Sequence, residues 1–453
     1  MVAEGVRVGA GWYEGATRRE RLVDALRRNR LDVLLALTPE NAAYLSGRIS
    51  VIATLWRLPG LVAVAVNDRG EIAVAAGDNE TGGYEGVVAR FAHPLWIEHL
   101  DLRRPGATLE ARVDAARPEG ALPRPAQFDA ELMLDAVAAA VGAVASTGRR
   151  MQVGAELAML PAWVAEGLYR RLPNAELVEA GPVFDDLRAI KDADEIAHLR
   201  LAAELTETGI AGARDALRPG LSAIGVSAAY QRAIWERAAS DDRFAALRQV
   251  EGLVSVGDGA APVAAGPGQT VKLDMQVDVG GYHSDVGRTY ALEPTSEQQA
   301  VFDALRDTLA AVVDALGPGV PMRDVWAIGT ERMRTAGFAS YSRGHLGHSI
   351  GLAHNYEEPP FIAADEARPL APGMVVSVEL PYYLLGVGSF QMERMVLIEA
   401  AGAAVLDRLA FELDPRGGSR EAAGVVKSAG NEDSDHPSCR AEDLHVERRI
   451  SAH

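Results

Sequence analysis

Two stretches constrain this chain more than any other, because each reads as an apolar strand pair carrying two acids. Residues 271–290 (VKLDMQVDVGGYHSDVGRTY) alternate at their ends in the manner of strands, and Val279-Gly280-Gly281 supplies a turn. With that turn centred between residues 279 and 280, Asp274 lies directly across from Asp285. Residues 374–398 (MVVSVELPYYLLGVGSFQMERMVLI) bend at Gly386-Val387-Gly388, and a turn centred on Gly386 sets Glu379 across from Glu393. Side chains paired across antiparallel strands share a face, with Cβ atoms about 4.5–5.5 Å apart. Buried carboxylates that close repel each other unless a cation or a shared proton intervenes. A lone acid in a hairpin is ordinarily a turn or surface residue. Two such hairpins in one chain, both inside apolar strands, ask for a metal.

Between the hairpins, residues 341–360 (YSRGHLGHSIGLAHNYEEPP) hold His345, His348 and His354, three of the ten histidines. Four carboxylates and one imidazole form a hard, oxygen-rich donor set suited to Mn, Fe, Co or Zn bridged by shared acids. In a two-metal site at about 3.5–4 Å the bridging water is acidified and attacks a polarised carbonyl. His283 precedes Asp285 by two residues and points to the same face, as a substrate contact would. Tyr382 and Tyr383 read as packing, and Arg343 as a surface residue.

The chain has 453 residues, 48% of them hydrophobic, enough for two or three domains. Its net charge of -18 argues against nucleic acid, whose phosphates need clustered Lys and Arg. No apolar run reaches the roughly 18–20 residues that span a bilayer. The N-terminal residues lack the apolar core of a secretory signal, and the single cysteine, Cys439, makes no internal disulfide. The expected setting is a cytoplasm, with no membrane partner.

The first half alternates helix and strand. A helix is predicted at 19–30, strands at 32–37, 61–67, 71–76 and 152–156, and helices at 130–147 and onward to about Arg171. Residues 103–125, rich in Pro, Gly and Arg, read as loop. Asp185 to Glu204 is expected to begin a long helix that links the halves, capped by Asp192 or Asp194, with a second helix from about Ile224 to Ala239. Strands follow Gly252, helices lie near 296–316 and 322–335, and strands return at 374. That pattern is α/β followed by α+β. Residues 414–453, including His436 and Cys439, read as a disordered tail.

The order Asp274, Asp285, Gly-His348-x-Ile-Gly, Glu379 and Glu393 resembles the pita-bread metallohydrolases: methionine aminopeptidase, aminopeptidase P, prolidase and creatinase. LLALTPENAAYLSG at 34–47 and LRAIKDADEIAHLRLAAELTETGI at 187–210 resemble segments of the prolidase, aminopeptidase P and creatinase branch, the Xaa-Pro peptidases. The resemblance implies an α/β creatinase-like N-terminal domain at 1–188, then an α+β pita-bread catalytic domain at 189–413. It implies that Asp274, Asp285, His348, Glu379 and Glu393 hold two divalent metal ions, manganese foremost, with Co, Zn or Fe as alternatives. Asp285 and Glu393 would be among the bridging ligands. It implies a metal-bridging hydroxide attacking a C–N bonded carbonyl of a small peptide or amide, with Glu379 moving the proton and His354 hydrogen-bonding the oxyanion or leaving nitrogen. His345 and His283 would line the substrate pocket, and a homodimer is the default.

The substrate-facing shell departs from the family pattern. The loop before Asp274 (GDGAAPVAAGPGQT) has no histidine, Gly287 stands where a threonine is common, and Gln391 where an arginine is. His354 lies six residues beyond His348 rather than seven, a position held by Asn355. Two alternatives therefore stand beside an Xaa-Pro peptidase. One is a metal-dependent hydrolase or cyclase of a small non-peptide C–N compound; the other is a non-catalytic binding module. Retention of all five ligands weighs against the last.

Overall fold

The computed structural model describes residues 16–103, 108–117, 124–145, 150–352 and 357–416. The tail expected from 414 onward lies almost wholly outside them, as do His354 and Asn355.

Residues 33–179 build a six-stranded mixed sheet. Its strands are β1 (Val33–Ala36), β2 (Val62–Asn67), β3 (Ile72–Gly77), β4 (Ala89–His93), β5 (Met151–Ala155) and β6 (Ala175–Glu179), in the order β4-β3-β2-β1-β5-β6. The β2–β3 hairpin at Asp68-Arg69-Gly70 is antiparallel, as its turn residues predict. The outer strands β4, β5 and β6 add in parallel, and the connections into β5 and β6 carry the helices Ala130–Val144 and Ala162–Arg171. Strands β1, β2 and β3 are buried throughout, so they read as continuous apolar runs rather than alternating ones.

Two expectations are corrected here. Within the predicted 103–125 loop, Leu109–Ala116 is a helix, started by Thr108, whose side chain accepts from the Ala111 N–H. The long linking helix is Ala193–Ala216, capped by Asp192, one of its two candidate caps, while residues from Asp185 belong to a separate helix, Gly181–Ala189. The break is local chemistry: the Asp192 carboxylate accepts from the N–H groups of Asp194 and Glu195, and the Glu195 side chain returns to the Asp192 N–H. That capping box starts a new helix and cannot sit inside an old one.

The remaining strands carry the candidate site. β7 (Leu247–Val256), β8 (Thr270–Val279), β9 (Tyr282–His283) and β10 (Val286–Ala291) form a small antiparallel sheet in the order β10-β8-β7, with β9 pairing β8. β11 (His345–Ser349), β12 (Glu358–Ala363), β13 (Val375–Glu379), β16 (Glu393–Glu399) and β17 (Gly402–Val405) form a second, ordered β12-β11-β13-β16-β17. β14 (Tyr382–Leu384) and β15 (Gly388–Phe390) complete the hairpin between β13 and β16. Helices Ala193–Ala216 and Ala223–Ala239 contribute buried residues to the same core as β8. Helices Ser296–Ala315 and Met322–Thr335 share a second core with β11, β13 and β16. Helices beside antiparallel hairpins are the α+β arrangement expected.

The register of the second hairpin is as read from the sequence, with Glu379 opposite Glu393. That of the first is not: Asp274 faces Gly287, and Asp285 falls in the break between β9 and β10. The turn residues are Gly280 and Gly281, at φ +64° and +90°, which moves its centre one residue along. Two consecutive left-handed residues make the tight hairpin turn whose twist matches its strands, and glycine takes them without a Cβ penalty.

Candidate metal centre

Contacts between the two hairpins fix the site. The Thr289 hydroxyl donates to the Gln391 carbonyl (3.1 Å) and accepts from the Gln391 N–H (2.7 Å). The Ser377 hydroxyl lies 3.1 Å from the Asp285 carbonyl and 3.0 Å from Glu393 Oε1. Arg288, almost wholly buried, donates to the backbone oxygens of Gly287 (2.8 Å) and Glu393 (2.6 Å). A cavity of about 440 Å³ opens where the hairpins meet. Asp274, Asp285, His348, Glu379 and Glu393 line it, together with His283, Glu251, Gln276 and Glu357.

Asp285, His348 and Glu393 are all buried, and a ligand atom from each lies within 4.8 Å of the others. His348 Nδ1 is 2.9 Å from the Ser349 carbonyl. A carbonyl only accepts, so Nδ1 carries a proton and Nε2, 3.7 Å from Asp285 Oδ2, is the nitrogen turned toward the acids. Burial, and then the charges of Asp274 and Glu379, pushes the Asp285 carboxyl well above its usual range. Burial, followed by Asp285, Asp274 and Glu379, does the same to Glu393. Asp285 Oδ1 is buried with no hydrogen-bond partner among the described residues. An orphaned carboxylate oxygen, crowded acids and an imidazole nitrogen turned toward them fit divalent cations, which neutralise the repulsion and fill the missing contacts.

A second group, His345, Glu357 and Glu379, also brings ligand atoms within 4.8 Å of one another. His345 Nε2 is 3.0 Å from Glu357 and Nδ1 3.5 Å from Glu379 Oε1. The hydrogen bond from His345 holds the Glu357 carboxyl below its usual range. Arg343, expected at the surface, is half-buried, and its guanidinium meets Glu379 Oε1 at 2.7 Å. Tyr382 is packing, edge-on to Tyr341 at 5.1 Å. Tyr383 is exposed, with its hydroxyl 3.3 Å from Lys272 Nζ. His283 reaches the cavity wall.

Three neighbours went unremarked in the sequence. Lys272 Nζ pairs with Asp274 Oδ2 at 2.9 Å, and Gln276 Nε2 lies 3.3 Å from Asp285 Oδ2. Both flank Asp274 by two residues, the strand period that puts side chains on one face, so the spacing alone points to them. Ser377 is likewise two residues from Glu379.

This is the pita-bread fold of a hydrolase of metallopeptidase type, and comparisons with known proteins place it. Residues 197–400 match the model of metallopeptidase family M24. "Putative dipeptidase YkvY" of Bacillus subtilis (strain 168) is 28% identical over 258 residues, 55% of this chain and 69% of that protein. An "Uncharacterized peptidase" of Staphylococcus aureus (strain USA300) is 28% identical over 229 residues, covering 49% of this chain and 63% of that one. The chain thus spans about two thirds of the length of these relatives. The solved Xaa-Pro dipeptidase from Bacillus anthracis shares the fold at a TM-score of 0.68 and 20% identity, over 88% of this chain and 99% of the other.

Proposed function

We propose that the chain is a two-metal hydrolase of the Xaa-Pro peptidase type, cleaving the C–N bond of a small peptide. The observation that carries this reading is the convergence of Asp274, Asp285, His348, Glu379 and Glu393, from two hairpins and the strand between them, on one cavity. These five residues would hold the ions. Two bound divalent ions, manganese in the first instance, would acidify a water and polarise the scissile carbonyl. The remaining work falls to the chain's own side chains. Glu379 borders the cavity and accepts from Arg343, so its carboxylate is oriented to take the proton from water and return it to the leaving nitrogen. His348 Nδ1 is tied to the Ser349 carbonyl, which leaves Nε2 as the nitrogen that would meet an ion. His283 lines the cavity, and His345, beside Glu357 and Glu379, would contact the substrate from that side. His354 completes the reading as a hydrogen-bond donor to the developing charge. A homodimer and a cytoplasmic setting belong to the same reading, by family resemblance and from the single Cys439.

The test is hydrolysis of Xaa-Pro and Xaa-non-Pro dipeptides by metal-stripped protein reloaded with Mn, Co or Zn, with Asp285→Asn as control. The expected result is metal-dependent Xaa-Pro cleavage that the control lacks. Metal-loaded protein inert toward every dipeptide would refute the peptidase reading and favour a small amide or cyclic C–N substrate.

A further inference from the structure

We propose that Gln391 is a positioning residue that sets the spacing of Glu379 and Glu393, and that Gly287 lacks a side chain to make room for it. The inference rests on the metal-site reading above but concerns a residue outside the ligand set.

Gln391 is buried, and its backbone is fixed at both polar atoms by Thr289. Its side-chain Nε2 lies 3.3 Å from Glu379 Oε2 and 3.1 Å from Glu393 Oε2. An amide nitrogen has two N–H groups, so one side chain donates to both carboxylates at once. Each acceptor oxygen keeps a second lone pair, so the amide orients the acids without using up their ligand capacity. The other oxygens are held separately, that of Glu379 by Arg343 and that of Glu393 by Ser377. Gln391 is therefore the one hydrogen-bonding bridge between the two acids among the described residues. Its own Oε1 is buried with no partner among the described residues, an unfavourable arrangement that packing alone does not reward.

Gly287 explains how the arm fits. A Cβ there would stand 2.2 Å from Gln391 Cγ, 2.9 Å from Glu393 Cβ and 3.1 Å from Glu393 Oε2. The backbone at 287 lies outside the left-handed region, so glycine is required here for room and not for conformation. Residues 287 and 391 are far apart in sequence, yet each accounts for the other. A side chain at 287 and an amide arm from 391 compete for one volume beneath the carboxylates.

The test is manganese binding by calorimetry to metal-stripped protein, with urea unfolding of each metal-free variant as a measure of the fold. Removing a group that orients ligands costs about 10–100-fold in metal affinity. Gln391→Ala is expected to show such a loss. Gly287→Ala is expected to bind weakly as well, because its Cβ would displace both the arm and Glu393. Gln391→Met, which keeps the volume and loses the donors, should also bind weakly while unfolding near the unaltered midpoint. Affinity kept within about twofold in the Met variant would overturn the proposal. Absence of binding by the unaltered protein would overturn it together with the metal-site reading, whereas tight binding by that protein and by Gln391→Met would overturn this inference alone.

Discussion

Asp407 should be among the costliest side chains in the molecule to remove, although it touches neither cavity nor substrate. Its side chain is wholly buried, and Oδ1 meets Arg288 Nη2 at 2.5 Å and Arg394 at 3.1 Å. Arg288 is 1% exposed and lies 3.9 Å from the Phe411 ring centroid. Asp407→Ala leaves that guanidinium buried without a counter-charge, which costs about 3–5 kcal/mol. The backbone oxygens of Gly287, Glu393 and Leu409 still accept from Arg288, so the lower half of that range is expected. Asp407→Asn keeps an acceptor but not the charge, and should cost about 1.5–3 kcal/mol, the value of a hydrogen bond to a charged group. Arg288→Met with Asp407→Leu removes both charges and should cost far less than the sum of the single changes, because apolar replacement of a buried pair is often close to neutral. Urea unfolding of metal-free protein measures these three variants and the two single changes that make up the double. A loss below about 1 kcal/mol for Asp407→Ala, or a double variant as costly as the sum, would refute the buried-charge argument.

The same reasoning reaches other parts of the chain. His93 is buried with Nε2 3.0 Å from the Leu61 carbonyl, and burial lowers its pKa. The unfolded chain then binds the proton more readily, so its contribution to stability is present above about pH 6.5 and is lost as pH falls toward the folded value. The urea midpoint should therefore drop less between pH 7.5 and 5.5 in His93→Gln than in the unaltered protein; equal drops would contradict this. Gly281→Ala combines a left-handed residue with a Cβ 2.5 Å from Ile49 Cδ1, whereas Gly386→Ala, at φ +84° with nothing within 4 Å, carries backbone strain alone. Gly386→Ala should cost about 1–2 kcal/mol and Gly281→Ala clearly more, read by urea unfolding; equal costs would show that Ile49 simply moves aside. Manganese at about a hundred times its dissociation constant should stabilise the protein by about 2.7 kcal/mol for each ion bound, a gain absent in Asp285→Asn.

The second hairpin was legible because its turn lies at the centre of symmetry of its two acids, so Glu379 and Glu393 pair across Gly386. The first was legible as a hairpin but not in register, since Val279-Gly280-Gly281 admits more than one turn and only the left-handed pair Gly280-Gly281 settles it. His348 stood out between the hairpins, but Arg343 did not, because nothing local tells a surface arginine from one folded back onto Glu379. The Asp192 cap was named in the sequence, yet its consequence, a break in the helix, follows only once the Glu195 side chain is seen to return to it. Gln391 and Gly287 were visible as departures from a family pattern. That they touch is a tertiary fact, unavailable to any argument from spacing.

The central claim is that these five residues hold two metal ions, and the most direct measurement is the manganese content of the protein after equilibrium dialysis. The account predicts two ions per chain in the unaltered protein and a loss of binding in Asp285→Asn, whose carboxylate is taken to bridge them. One ion or none in the unaltered protein, or an unchanged count in Asp285→Asn, would contradict it.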